Sequence, residues 1–215
     1  MRYLHPVAPH ERWLAHGTYE WVAVPSNQVV AMEHWTLHEH PDGARFYRVD
    51  FDARQGEGTT ELVELWQSPP HEGARLERVE GLLFTPPSQR LRMGLQLGAD
   101  GSLIASASDG TQHAERVLES PTPALIFPRS TFYRAYLLQQ SLTAMPIFFH
   151  ARSLDSLGVA QLSIHPVTSQ SVTFVGIGDY SFAGSMSWDQ AGIPHEGQWL
   201  SDQAYRFTMK RYTHR

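Results

Sequence analysis

The residues best equipped for chemistry fall in one short stretch. Tyr47 to Arg54 reads YRVDFDAR, so Arg48, Asp50 and Asp52 take alternate positions. In a strand, alternate residues share a face. Glu64, in a neighbouring segment of the same kind, is placed to join them. Two carboxylates within about 5–10 Å are the equipment of glycoside hydrolysis. Alternating Arg and Asp on a solvent-facing strand is also ordinary surface pairing. The two readings require opposite placements. Catalysis by Arg48, Asp50 and Glu64, with His34 from an adjacent strand, needs that row inside the fold.

Histidines are the second group. His34, His38 and His40 stand at even positions of one strand and share a face. Imidazole suits zinc, copper, iron or nickel. His34 and His38, however, are two pleats apart, about 13 Å at ~3.3 Å per residue, too far to share an ion. His40 abuts the Pro41-Asp42-Gly43 turn. Three exposed histidines near a strand end are expected, with no metal and no cofactor.

Other chemistries find little material. There is no cysteine, which excludes disulfides, Cys-ligated zinc and thiol catalysis. Sixteen arginines accompany a single lysine, Lys210, so Schiff-base chemistry has one candidate, in a charged tail. No Gly-x-Ser-x-Gly elbow, Ser-x-x-Lys or phosphate-binding loop occurs. Gly176-Ile177-Gly178 follows an apolar strand but lacks the third glycine and the helix of a dinucleotide site, and reads as a turn or bulge. A net charge of −5 argues against nucleic acid as a partner.

The elements that must hold these residues alternate with period two. Gln28–His38, Ala44–Ala53, Thr59–Trp66, Arg75–Phe84, Arg90–Leu97 and Leu103–Ser108 all read as strands. So do Gln112–Glu119, Pro146–Arg152, Gly158–His165, Ser171–Ile177, Ser185–Trp188 and Tyr205–Tyr212. Asp109-Gly110 predicts a type I′ hairpin turn. The sheet pattern stops over Pro121 to Pro128. Ser130 then caps a helix of about residues 130–142 that is apolar all round and therefore buried.

With no linker and no internal repeat, 215 residues read as a single domain, 1–215, with residues 1–15 as an N-terminal extension. The fold class is mainly β: one antiparallel, open or incompletely closed barrel of about ten to twelve strands around one mid-chain helix. Larger barrels enclose more space than their own side chains fill. Trp35, Tyr47, Phe51 and Trp66, with Phe132, Tyr133 and Tyr136 of the helix, are the candidate lining. No segment approaches 18 uncharged apolar residues, and Met1 to Leu14 has no secretory pattern. A cytoplasmic protein is expected.

Certain motifs match a known layout. They are Gly17-Thr18-Tyr19-Glu20-Trp21, Val29 to Trp35, Tyr47 to Arg54, Trp188 to Pro194 and Tyr205 to Tyr212, placed around one mid-chain helix. This layout resembles the unclosed β-barrels of the bacterial lipoprotein-carrier type and their glycolipid-binding relatives. The resemblance implies a curved sheet around helix, an apolar concavity, and non-catalytic binding of a lipid-like amphiphile. It transfers no functional residue. The alternatives are an enzyme with a polar cluster inside the barrel, and a pocketless module that uses an exposed apolar patch.

Overall fold

The computed structural model describes residues 1–24, 26–85, 87, 89–98, 100, 102–118, 124–126, 130–140, 144–150, 157–201 and 204–214. For 116, 118, 124–126, 132, 133, 136, 137, 140, 144–150 and 157–159 it describes the backbone alone.

Alternating segments form strands because each has an apolar face to bury and a polar face to leave in water. The first eight are β1 (Arg12–Val24), β2 (Val29–Glu39), β3 (Arg45–Ala53), β4 (Thr59–Gln67), β5 (Leu76–Thr85), β6 (Gln89–Leu97), β7 (Leu103–Ser108) and β8 (His113–Leu118). After β9 (Ala124–Ile126) comes helix α1 (Thr131–Gln140). The rest are β10 (Ala144–His150), β11 (Leu157–Thr168), β12 (Ser171–Gly178), β13 (Phe182–Trp188), β14 (Pro194–Leu200) and β15 (Ala204–His214).

All fifteen described strands join one sheet, running from β8 back to β1, then from β15 back to β9. The pairs are antiparallel except β9 with β10. Among the described residues β8 and β9 are edges, so the sheet is open there.

The strand count therefore exceeds the expected ten to twelve, and the three additional strands have physical causes. β1 begins at Arg12, inside what reads as an N-terminal extension of fifteen residues. Its apolar row is interrupted by Gly17, where a Cβ would sit 2.6 Å from the Trp35 ring and 2.5 Å from the Arg211 carbonyl. The missing side chain is the space that ring occupies. β14 starts at a proline and carries Gly197, whose Cβ would meet the Phe207 ring at 2.5 Å. Proline and glycine both mute a strand signal. β9 has three residues, too few to show a period, and lies in the segment where the sheet pattern stops.

Two loop expectations change as well. Ser108 pairs with His113, so the β7–β8 connection has four residues and is not a two-residue type I′ turn. Only Gly110 takes a positive φ there (93°), while the Asp109 carboxylate accepts from the Thr111 and Gln112 amides, each at 2.8 Å. Gly176-Ile177-Gly178 lies within β12, where a Gly176 side chain would collide with the Phe182 ring. The glycine answers a packing need, not a turn.

One face of the sheet carries the core. Buried residues from β1 to β7, from α1 (Ala135 and Leu138) and from β11 to β15 form a single cluster. Cross-strand register sets it out in rows, such as Tyr19–Glu33–Phe51–Glu61 and Trp35–Val49–Val63. This face is the interior.

Gly17→Ala is expected to destabilise the protein by about 1–3 kcal/mol, as overpacking does. A urea midpoint within error of the parent would mean that Trp35 and Arg211 yield freely.

Candidate functional site

The interior row of aromatics is built by parity. Trp35 on β2 and Phe51 on β3 are 1% and 3% exposed, and Tyr47 is half-buried on the same face. The rings of Trp35 and Phe51 join a chain of contacts across four strands. Tyr212 and Trp35 have centroids 5.9 Å apart, Trp35 and Tyr19 6.3 Å. Tyr19 meets Phe207 at 5.8 Å, Phe207 meets Trp21 at 5.2 Å, and Trp21 meets Phe51 at 5.5 Å. The row reaches solvent at Tyr212, which is 39% exposed. Burial pushes the Tyr47 hydroxyl above its ordinary range, with Arg45 beside it acting in the other direction. Burial also raises Tyr212.

Trp66 belongs elsewhere. It pairs with Phe46, not Tyr47, and so projects from the outer face, where it meets Phe46 at 5.9 Å and His5 at 5.8 Å. The Arg78 guanidinium lies 4.9 Å from its centroid. Of the seven candidate lining residues, Trp35, Tyr47 and Phe51 come together and Trp66 does not. The side chains of Phe132, Tyr133 and Tyr136 lie outside the described residues.

The second constellation is also on the outer face. Arg48, Asp50 and Glu64 share that side with His34 and Trp66, so the polar cluster is not inside the barrel. An acid–base site within the interior loses its residues by this placement. The row is nevertheless buried, because residues 1–11 cross it. Arg48 Nε donates to Glu64 Oε1 at 2.6 Å and Arg48 Nη1 to Glu11 Oε2 at 2.7 Å. Arg48 Nη1 also lies 2.6 Å from His38 Nδ1, which must therefore accept and stay unprotonated. Burial and the neighbouring Arg48 charge hold His38 down at about 4.

The three histidines do not converge. His34 is exposed and 3.2 Å from the Thr18 hydroxyl. His38 is buried beside Arg48, and His40 Nδ1 lies 3.0 Å from Asp42 Oδ2. The expectation of exposed histidines fails for His38, because the segment that covers it lies 27 residues or more upstream. Among the described residues no group of three or more His, Asp or Glu side chains is placed to hold a metal.

The interior row also carries carboxylates that sequence reasoning does not single out, Glu33 and Glu61. Glu33 is fully buried on the apolar face of β2. Its carboxylate accepts from the Thr131 amide at 2.9 Å, from Trp21 Nε1 at 3.0 Å and from the Thr131 hydroxyl. It thereby holds the N-terminus of α1, which complements the helix dipole. Desolvation raises its pKa to about 7, against the pull of these donors and of Arg134. The Arg134 guanidinium stacks 3.9 Å from the Trp199 centroid and 5.4 Å from that of Trp21. The available signal was a lone carboxylate in the series Val29, Ala31, Glu33, Trp35, Leu37.

The outer face of β12 to β15 is different again. Small polar residues there, Thr173, Ser185, Ser187 and Gln198, leave a shallow trough of ≈ 440 Å³ bordered by Glu196 and Arg206. Beside it Val175 and Leu200 share a cross-strand row with Ala183, and Ile177 follows at 69% exposure.

No protein-family model matches the chain, and no curated protein matches it in sequence. Among solved structures it is similar to a crystal structure described as a beta-barrel-like protein of domain of unknown function DUF1849 from Brucella abortus. The TM-score is 0.55 at 10% identity, over 95% of this chain and 99% of that one. The likeness is one of fold: mainly β, barrel-like and open. Among the described residues no helix is long and apolar enough to cross a membrane.

Proposed function

We propose that the protein binds a lipid-like or glycolipid-like amphiphile in the apolar concavity of its sheet, without catalysing a reaction on it. The observation that carries this reading is the aromatic row from half-exposed Tyr212 through Trp35 and Tyr19 to Phe51. A row of rings that runs from solvent into an apolar interior suits a long apolar chain. Tyr47 with Arg45, and Tyr212, offer polar tips near a head group.

The test is native mass spectrometry of the purified protein, followed by organic extraction. A co-purifying amphiphile is expected, and its head group names the ligand class. The same protein should take up a dodecyl-chain fluorophore with a change in tryptophan emission. A clean polypeptide mass together with no uptake of that probe would sink the proposal.

A second reading has its own observation. The exposed row of Val175, Ile177 and Leu200 beside the trough is the kind of apolar surface that an interaction module presents. A protein that fails both ligand tests would be examined on that face.

A further inference from the structure

Residues 1–11 lie outside the sheet and cross the outer face of β3, β4 and β5. Pro6 and Pro9 keep the segment from pairing as a strand, because proline has no N–H and holds the preceding residue extended. Its fastenings are chiefly ion pairs and hydrogen bonds, with one ring contact, His5 on Trp66 at 5.8 Å. The Arg2 amide donates to Asp50 Oδ2 at 2.6 Å, and its guanidinium to Asp50 Oδ1 at 2.6 Å and Thr60 Oγ1 at 3.3 Å. His5 Nε2 sits 2.8 Å from Glu80 Oε2 and 3.9 Å from Glu64 Oε2. Glu11 takes two Arg48 N–H groups, at 2.7 and 3.0 Å. A turn joins the segment to β1, with the Glu11 amide donating to the Ala8 carbonyl at 3.0 Å.

Beneath it, Asp50, Arg48, Glu64 and Glu80 are each under 10% exposed although none faces the interior. Leu62, on the same outer face, is 6% exposed and likewise not part of the interior cluster.

We propose that residues 1–11 form a detachable strap that lifts from the folded barrel and uncovers a charged face centred on Arg48. The chemistry of the contact carries the inference. Permanent interfaces are apolar on both sides, and a buried ion-pair network is a poor substitute for such packing. Here both sides are charged. Uncovering them exposes Leu62 and part of Trp66 and returns several costly charges to water. A segment held by ion pairs over a face that stays soluble opens locally, while the sheet beneath stays closed. Strap and face also match as a pattern: two basic side chains three residues apart, then a carboxylate six further on, meet Asp50, Glu80 and Arg48. The uncovered face is thus built to receive a short segment of that charge pattern.

The absence of cysteine makes the test clean. Leu62→Cys places a single thiol under the strap, and Val63→Cys places one on the interior face next to it. Under native conditions Leu62→Cys should react with a thiol reagent about tenfold or more faster than Val63→Cys, the ordinary separation of local from global opening. Its rate should climb between about 0.1 and 1 M NaCl, as the screening length falls from about 10 to about 3 Å. Arg2→Ala should raise the Leu62→Cys rate again and leave Val63→Cys unchanged. Equal, salt-insensitive rates at the two thiols would overturn the strap. Hydrogen exchange of the unsubstituted protein gives a second readout. The Arg2 and Ala8 amides should exchange well before those of β2 to β4, and exchange in step with them would also overturn it.

Discussion

Trp35→Ala should lower stability by about 3–5 kcal/mol, the cost of removing a large buried aromatic and leaving its cavity. At about 2–4 °C per kcal/mol for a chain of this size, the melting temperature should fall by roughly 6–20 °C. Trp35 is 1% exposed, lies 5.9 Å from Tyr212 and 6.3 Å from Tyr19, and fills the space that Gly17 vacates. That last contact gives a sharper test. Adding Gly17→Ala to Trp35→Ala should cost less than it does in the parent, because the ring half of the clash is gone. The Arg211 carbonyl half remains, so the coupling is partial. Urea unfolding of the four species measures it. Strict additivity within about 0.5 kcal/mol would show that Gly17 and Trp35 do not share that space. The same Trp35→Ala protein should lose uptake of the dodecyl probe if the aromatic row is the binding surface.

The second large effect is a hidden opposition in pH dependence. Glu33 rises from 4.5 to about 7 on folding, so the native state holds a proton that the unfolded chain gives up. Its stabilising contribution is complete below pH 4.5 and lost as pH climbs to 7. At about 1.4 kcal/mol per pH unit this amounts to about 3 kcal/mol. His38 does the reverse. Its value falls from 6.5 to about 4, so the unfolded chain takes up the proton first. Its contribution is complete above pH 6.5 and is lost as pH falls to 4, again about 3 kcal/mol.

Between pH 4.5 and 6.5 the two slopes cancel in the parent protein, and single substitutions should uncover them. Glu33→Gln should leave a stability that rises with pH. His38→Asn, whose Oδ1 can replace Nδ1 as acceptor from Arg48, should leave one that falls. Glu64, raised by desolvation, acts with Glu33. Glu11, lowered through its Arg48 and Ala8 hydrogen bonds in spite of desolvation, acts with His38. Both are present in all the proteins compared; Glu33→Gln reads its own group, whereas His38→Asn reads His38 together with its effect on Glu11, which it helps to lower. Urea midpoints across pH 4.5 to 7.5 that run parallel in all three proteins would refute this assignment.

Each of these effects rests on a different amount of legible sequence. The alternation of β3 and β6 is plain in the residues, and β7 runs from Leu103 to Ser108 as its pattern predicts. Parity alone also placed Tyr47, Val49 and Phe51 together, against Arg48, Asp50 and Asp52. Trp66 joins the first set only as an aromatic, whereas its parity sets it with Glu64 on the other face. β1 stayed hidden because its apolar row is broken by Gly17, a signal that means packing only once Trp35 is seen to fill the gap.

Local sequence therefore determined the all-β character, most strand positions and the composition of each strand face, because period two is a property of the chain itself. Tertiary structure alone decided which face is interior, since the pattern of a strand is unchanged when its two faces are exchanged. It also decided the partners that lie far along the chain. Glu33 meets Thr131 across 98 positions, and Arg2 meets Asp50 across 48. No local pattern encodes a contact at those separations. The burial of Arg48, which turned an apparent surface row into a covered network, comes from residues 1–11, a segment with no alternation to announce where it lies.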